Sequence, residues 1–140
     1  MNILIFRTDR IGDLILTCPT IITIKKYFEK SHITLISSYK NHSYAKSLSI
    51  FDEIYQFPKN SLLKKIDFIN TLSKKKFDYI FVLDGKERSI ITSKFIKANY
   101  KIALTKEKKF YYRYIDINLI IDNESKKINE IFQEMIDRCK

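Results

Sequence analysis

The 140-residue chain carries 26 Lys and Arg against 16 Asp and Glu, a formal charge of +10, with 45% hydrophobic and 30% charged residues. That composition is ordinary for a folded soluble protein, and the length predicts one domain, residues 1–140, large enough to bury a core. No apolar run approaches the ~18 residues needed to cross a bilayer as a helix, which excludes an integral helical membrane protein.

Along the chain, the first apolar run spans 3–6 and breaks into "RTDRIGD". A helix is predicted from about 13 to 28, kinked or restarted at Pro19, with Ile21, Ile24 and Phe28 on one face. Strand-like runs follow at 33–36 and 54–57. Over 61–76, Leu62, Ile66, Ile69 and Leu72 line one face of a second helix among lysines. A run at 79–83 leads into Asp84-Gly85, with Arg88 where a helix begins, and further runs lie at 102–104 and 119–121. Ile128, Ile131, Phe132, Met135 and Ile136 form the stripe of a last amphipathic helix. This alternation predicts an α/β fold: a doubly wound, mainly parallel sheet of five to seven strands with helices on both faces.

The turn after the first strand is the candidate site, because α/β proteins bind ligands at the carboxyl edge of their sheets. Gly12 is expected to take a backbone conformation closed to other residues and to let a ligand approach the main chain. Asp13 caps the first helix or, alternatively, carries catalysis. Arg7 and Arg10 are candidates to grip phosphate or carboxylate through forked hydrogen bonds, or else are solvated loop charges. Thr8 and Asp9 are candidates to hydrogen-bond a ligand at this turn, though Asp9 has arginines to pair with. Asp84, Gly85 and Arg88 are expected in a turn and cap along the same edge. His32 and His42 are expected at the surface. No G-x-G-x-x-G or G-x-x-x-x-G-K-[ST] occurs, which removes the dinucleotide and P-loop fingerprints. No metal is implied by the spacing of His, Cys or carboxylates.

"ILIFRTDRIGDLILTCPTIITIKKYF" resembles the opening of glycosyltransferase family 9, the lipopolysaccharide heptosyltransferases: a strand, a polar segment ending in Gly-Asp, and a helix bearing Thr-x-Pro. "ITLISS", "IFDEIYQF" and "KKFDYIFVLDGKERSIITSKFIKANYKIAL" continue the likeness in order over most of the chain. The resemblance implies a Rossmann-like domain equivalent to the amino-terminal, acceptor-side half of a two-domain GT-B enzyme. It implies Asp13 as general base, with Arg7, Thr8, Asp9, Arg10 and Gly12 on the acceptor side. The donor would be a nucleotide-sugar such as ADP-heptose, with no other cofactor, and the acceptor an anionic lipopolysaccharide core sugar. The likeness stops before a donor-binding domain, so the 140 residues are expected to be inactive alone and to need a separate donor half.

Two other classes compete. A basic binding module for nucleic acid or anionic glycan would use the net charge and "KEKKFYYRY" (106–114), though no RRM, KH or OB signature accompanies it. A remnant of a split transferase would bind without catalysing. Cys18 and Cys139, far apart, read as free thiols, and no secretory signal opens the chain. The expected location is the cytoplasm, with peripheral contact at the inner face of a membrane.

Overall fold

Strand and helix alternate because apolar runs of four to six residues bury on both faces while the longer segments between them bury one stripe. The computed structural model describes residues 1–105, 113–120 and 137. In chain order the elements are β1 (Asn2–Arg7), α1 (Ile11–Tyr27), β2 (His32–Ser37), α2 (His42–Ser47), β3 (Glu53–Gln56), α3 (Leu62–Ser73), β4 (Phe77–Val82), α4 (Glu87–Lys94), β5 (Ala98–Thr105) and β6 (Ile117–Ile120). The six strands form one sheet in the order β3-β2-β1-β4-β5-β6, and every neighbouring pair is parallel. This is the expected doubly wound sheet.

Side-chain alternation along β1 divides the core. Ile3 and Ile5 pack with Leu14, Ile21 and Ile24 of α1, while Leu4 and Phe6 pack on the opposite face with Leu72 of α3 and Ile90 of α4. All these residues are essentially inaccessible to water. The chain winds outward through β2 and β3, then crosses back to place β4 on the other flank of β1. The carboxyl ends of β1 and β4 therefore form the topological switch point, where α/β sheets open a crevice.

Three local expectations change. The first helix begins at Ile11 and does not restart at Pro19, which lies inside it. Proline removes one amide donor, and the Ile15 carbonyl it would have served sits on an exposed residue, within reach of water. α2 was not foreseen; its six residues are too few to show a periodicity. The stripe on α3 is only partly seated: Leu72 is buried and Phe68 packs edge-on to Phe57 at 5.5 Å, whereas Leu62 and Ile66 face solvent. The last predicted helix, Cys139 and most of "KEKKFYYRY" lie outside the described residues.

Candidate functional site

Arg10 is the N-cap residue of α1, in extended conformation, which makes Asp13 the third residue of the first turn. The Asp13 carboxylate accepts the Arg10 backbone N–H at 3.3 Å, the acidic half of a capping box. Arginine has no side-chain acceptor to return the bond, so only this half of the box forms. The Asp13 side chain is 42% exposed and lines a cleft of about 500 Å³. Asp13 is thus a helix-start residue and a cleft residue at once.

Arg7 lies beneath this turn, with its side chain 12% exposed. Its Nε and Nη2 donate to the Asp13 carbonyl at 3.2 and 3.1 Å, and Nη1 donates to the Leu83 carbonyl at the end of β4. The same guanidinium pairs with Asp9 at 3.2 Å and approaches Asp13 Oδ1 at 3.9 Å. Arg7 therefore spends its donors inside the fold, clamping the starts of two loops. Arg10, by contrast, lines the cleft and forms no ion pair among the described residues.

Thr8 is 1% exposed and sits at the junction of the two loops. Its amide and hydroxyl both donate to Asp84 Oδ2, at 3.1 and 2.5 Å, and Ser89 Oγ donates to the same oxygen at 2.7 Å. Asp84 Oδ1 accepts the Lys86 amide at 3.1 Å, closing an Asx turn. Arg88 donates to both oxygens of Thr8 at 3.0 Å, and Lys86 Nζ donates to the Thr8 carbonyl at 2.9 Å. Asp84 thus forms the expected turn, although the N-cap of α4 is Lys86.

Gly85, in the expected turn, is the glycine whose conformation is special. Gly85 has φ +59°, and a Cβ there would meet the Leu104 carbonyl oxygen at 2.9 Å. Gly12 is an ordinary helical residue, which corrects the expectation of a special backbone conformation. Open space surrounds the position where its Cβ would stand, so the missing side chain keeps the rim beside Asp13 clear.

Asp9 is a perturbed carboxyl of the cleft. Burial raises its pKa, the Arg7 guanidinium pulls it back, and the Asp84 and Asp13 charges push it up again. Its Oδ2 pairs with Arg7, while Oδ1 is buried with no hydrogen-bond partner. The Asp9 carbonyl accepts Ser38 Oγ at 2.8 Å, and Asn41 Nδ2 reaches the Arg7 carbonyl at 2.9 Å. The loop after β2 therefore braces the loop after β1. His42, expected at the surface, is half-buried with Nδ1 at 2.7 Å from Ser37 Oγ, and burial followed by the Lys46 charge lowers its pKa; His32 is exposed and meets Glu53 at 3.1 Å.

The far wall of the cleft was not singled out in the sequence. Tyr39 and Lys40 follow β2, and Phe57 and Lys59 follow β3. Lys59 Nζ stands 4.3 Å from the Tyr39 ring centroid, and the Arg88 guanidinium stacks 5.2 Å from that of Phe57. Applying the carboxyl-edge rule to every strand, not only the first, would have found them. Five cations (Arg10, Lys40, Lys59, Lys86 and Arg88) face two carboxylates, Asp9 and Asp13, so the cleft suits an anionic ligand bearing hydroxyl groups. Among the described residues no three His, Cys, Asp or Glu side chains gather as metal ligands, and no helix is long and apolar enough to cross a membrane.

Fold and site together define a Rossmann-like α/β domain with a cationic cleft at its switch point. No protein-family model and no curated protein matches the sequence. Solved structures do. E. coli heptosyltransferase WaaC with ADP-2-deoxy-2-fluoro heptose matches with a TM-score of 0.77 at 13% identity, over 98% of this chain and 49% of that one. The glycosyl transferase family 9 structure from Veillonella parvula matches with a TM-score of 0.79 at 18% identity, over 98% and 40%. E. coli ADP-heptose lps heptosyltransferase II matches with a TM-score of 0.78 at 14% identity, over 94% and 39%. The chain has the fold found in part of these glycosyltransferases and spans at most about half the length of each.

Proposed function

We propose that residues 1–140 are the acceptor-side half of a GT-B glycosyltransferase of the heptosyltransferase kind, with Asp13 as general base. One observation carries the reading: the Asp13 carboxylate stands at the open rim of a cationic cleft, at the switch point of a sheet whose structural neighbours include heptosyltransferases. The acceptor is an anionic core sugar of a lipopolysaccharide, and the donor is a nucleotide-sugar such as ADP-heptose, held largely by residues outside these 140. The chemistry is at the cytoplasmic face of the membrane.

In this reading the acceptor hydroxyl oxygen attacks the anomeric carbon of the donor. Its proton passes to Asp13, and the bond from that carbon to the nucleoside diphosphate breaks, the diphosphate leaving with the electron pair. A carboxylate is a weak base at neutral pH, but it serves when the transition state is oxocarbenium-like and the hydroxyl becomes acidic late. Arg7 fixes the base by gripping the Asp13 carbonyl. Arg10, Lys40, Lys59 and Arg88 are placed to neutralise the acceptor's anionic groups. Holding both substrates supplies ~7–11 kcal/mol of the barrier, so half a cleft forfeits most of the acceleration.

The test incubates the 140-residue chain with ADP-heptose and a lipid A–core acceptor, with and without a separately expressed donor half. Turnover is expected only with both halves and is expected to fall at least about 100-fold in Asp13→Asn, the scale of a lost general base. Turnover that survives Asp13→Asn would overturn the assignment of the base. Acceptor binding with no turnover in any combination would instead leave the non-catalytic binding module standing.

A further inference from the structure

The end of the sheet opposite the cleft carries a second recess. Because every strand runs the same way, the first residues of β1, β2, β3 and β4 (Asn2, His32, Glu53 and Phe77) meet along one edge. All four line a pocket of about 350 Å³. Lys75 and Lys76, at the end of the connection from α3 to β4, complete the wall, and Thr34 of β2 lies at the floor. β1 runs from Asn2 here to Arg7 beneath the cleft in five steps of about 3.3 Å, so about 17 Å of sheet separates the two sites.

The floor holds a polar group that packing leaves unexplained. Thr34 is 0% exposed, and its Oγ1 has no hydrogen-bond partner among the described residues. It faces the side of the sheet that buries Leu4, Ile36, Leu72 and Phe77, where a valine of the same shape would seat without cost. A stranded hydroxyl weakens the fold unless something supplies its partner.

Charge at the mouth is unbalanced. Glu53 is the single acid of the wall and is already matched: Lys75 and Tyr55 donate to its Oε2, and His32 Nε2 lies 3.1 Å from Oε1. Lys76 is exposed and forms no ion pair among the described residues. Asp78, outside the pocket, accepts the Asn2 backbone amide at 2.8 Å and the Asn99 side chain at 3.2 Å. The recess therefore offers an unmatched ammonium, an imidazole and an unused hydroxyl.

We propose that this pocket binds a small phosphate-bearing molecule, either inorganic phosphate or the phosphate of a small monoester. Lys76 and His32 meet phosphate oxygens at the mouth, and the Thr34 hydroxyl donates to another at the floor. Thr34 is closed to solvent, so the ligand seats by swinging aside the side chains of His32 and Lys75, which are 45% and 34% exposed. Lys75 then turns its ammonium to the phosphate, while Tyr55 still donates to Glu53. The volume stands at the small end for ligand sites, which suits a phosphate with a short carbon chain. The inference goes beyond sugar transfer and does not rest on it.

The cleft also gathers cations, so the readout is resolved by residue. Inorganic phosphate and glycerol phosphate are titrated separately into the 140-residue chain and followed by heteronuclear NMR, with glycerol as the uncharged control. The amides of Thr34, Lys76 and Phe77 are expected to shift and saturate with a phosphate probe and to stay unmoved with glycerol. Thr34→Val and Lys76→Ala are each expected to weaken that titration at least about tenfold, the scale of a lost hydrogen bond to a charged group. Thr34→Val keeps the side-chain shape, so its melting should be unchanged or higher, which separates a lost ligand contact from a lost fold. Equal affinity for the two probes would assign the phosphate group alone, and tighter binding of glycerol phosphate would assign the monoester. Shifts confined to Tyr39, Lys59 and their neighbours in the cleft would overturn the proposal. So would a Thr34→Val titration like that of the unmodified chain, or no saturable shift with either probe. None of these outcomes bears on whether Asp13 is a base.

Discussion

Removing Asp84 should unlatch the two loops that build the cleft. Its carboxylate accepts the amide and hydroxyl of Thr8, the hydroxyl of Ser89 and the amide of Lys86. Thr8 and Ser89 are 1% and 0% exposed, so water does not readily replace the lost acceptor. In Asp84→Ala the Thr8 amide is left unsatisfied at about 1–3 kcal/mol, and each stranded hydroxyl, free to rotate toward another acceptor, costs about 1 kcal/mol. Relief of the Asp84 repulsion on Asp9 returns a fraction of this. The expected net loss is about 3–4 kcal/mol, a large part of the 5–15 kcal/mol that holds a typical domain together. Asp84→Asn, which keeps one acceptor oxygen, should lose about half as much. Urea denaturation measures both, and amide exchange at Thr8 should accelerate by more than global destabilisation accounts for. A loss below about 0.5 kcal/mol in the alanine variant, with Thr8 still protected, would refute the latch.

Gly85→Ala should destabilise by about 2 kcal/mol or more, because the left-handed backbone and the 2.9 Å approach to the Leu104 carbonyl both penalise a Cβ; a neutral result in thermal melting would show that the β4–α4 turn can relax. Glu53, bonded by Lys75, Tyr55 and His32, has its pKa drawn down to about 2. Its folded value lies below its unfolded value, so the stability it contributes is present above about pH 4.5 and is lost as pH falls toward 2. The group is a third exposed, and after solvent screening the contribution is about 1 kcal/mol. Lys75→Met should flatten this acid limb in a pH series of urea melts, and an unchanged limb would count against the assignment. For Asp9 the sign reverses: burial raises its folded value, so stability is lost as pH rises past the ordinary carboxylate range. Asp9→Asn should therefore gain on the unmodified chain between pH 3 and 7, and a difference moving the other way would contradict the burial argument.

The sheet was legible in the sequence because its central strands are buried on both faces, and a run such as "ILIF" (3–6) has no polar residue to give up. The turn carrying Asp13 was legible for a similar reason: a strand of fixed length must end, and one glycine and two acids mark where it does. Periodicity also placed Ile21 and Ile24 against the core. It misled on α3, since spacing shows which residues share a face but not whether anything covers that face. What Arg7 does was decided only in three dimensions. Its partners are the carbonyls of Asp13 and Leu83, the second 76 positions away, and backbone acceptors leave no trace in residue identity. The pairing of Thr8 with Asp84 arises in the same way, from the crossover that lays β4 beside β1. The need for glycine at 85 followed suit, because the carbonyl of Leu104, distant in sequence, stands where a Cβ would lie. Local sequence thus set which segments form and where they end, while the order of strands set which ends meet, and the cleft exists only where they meet.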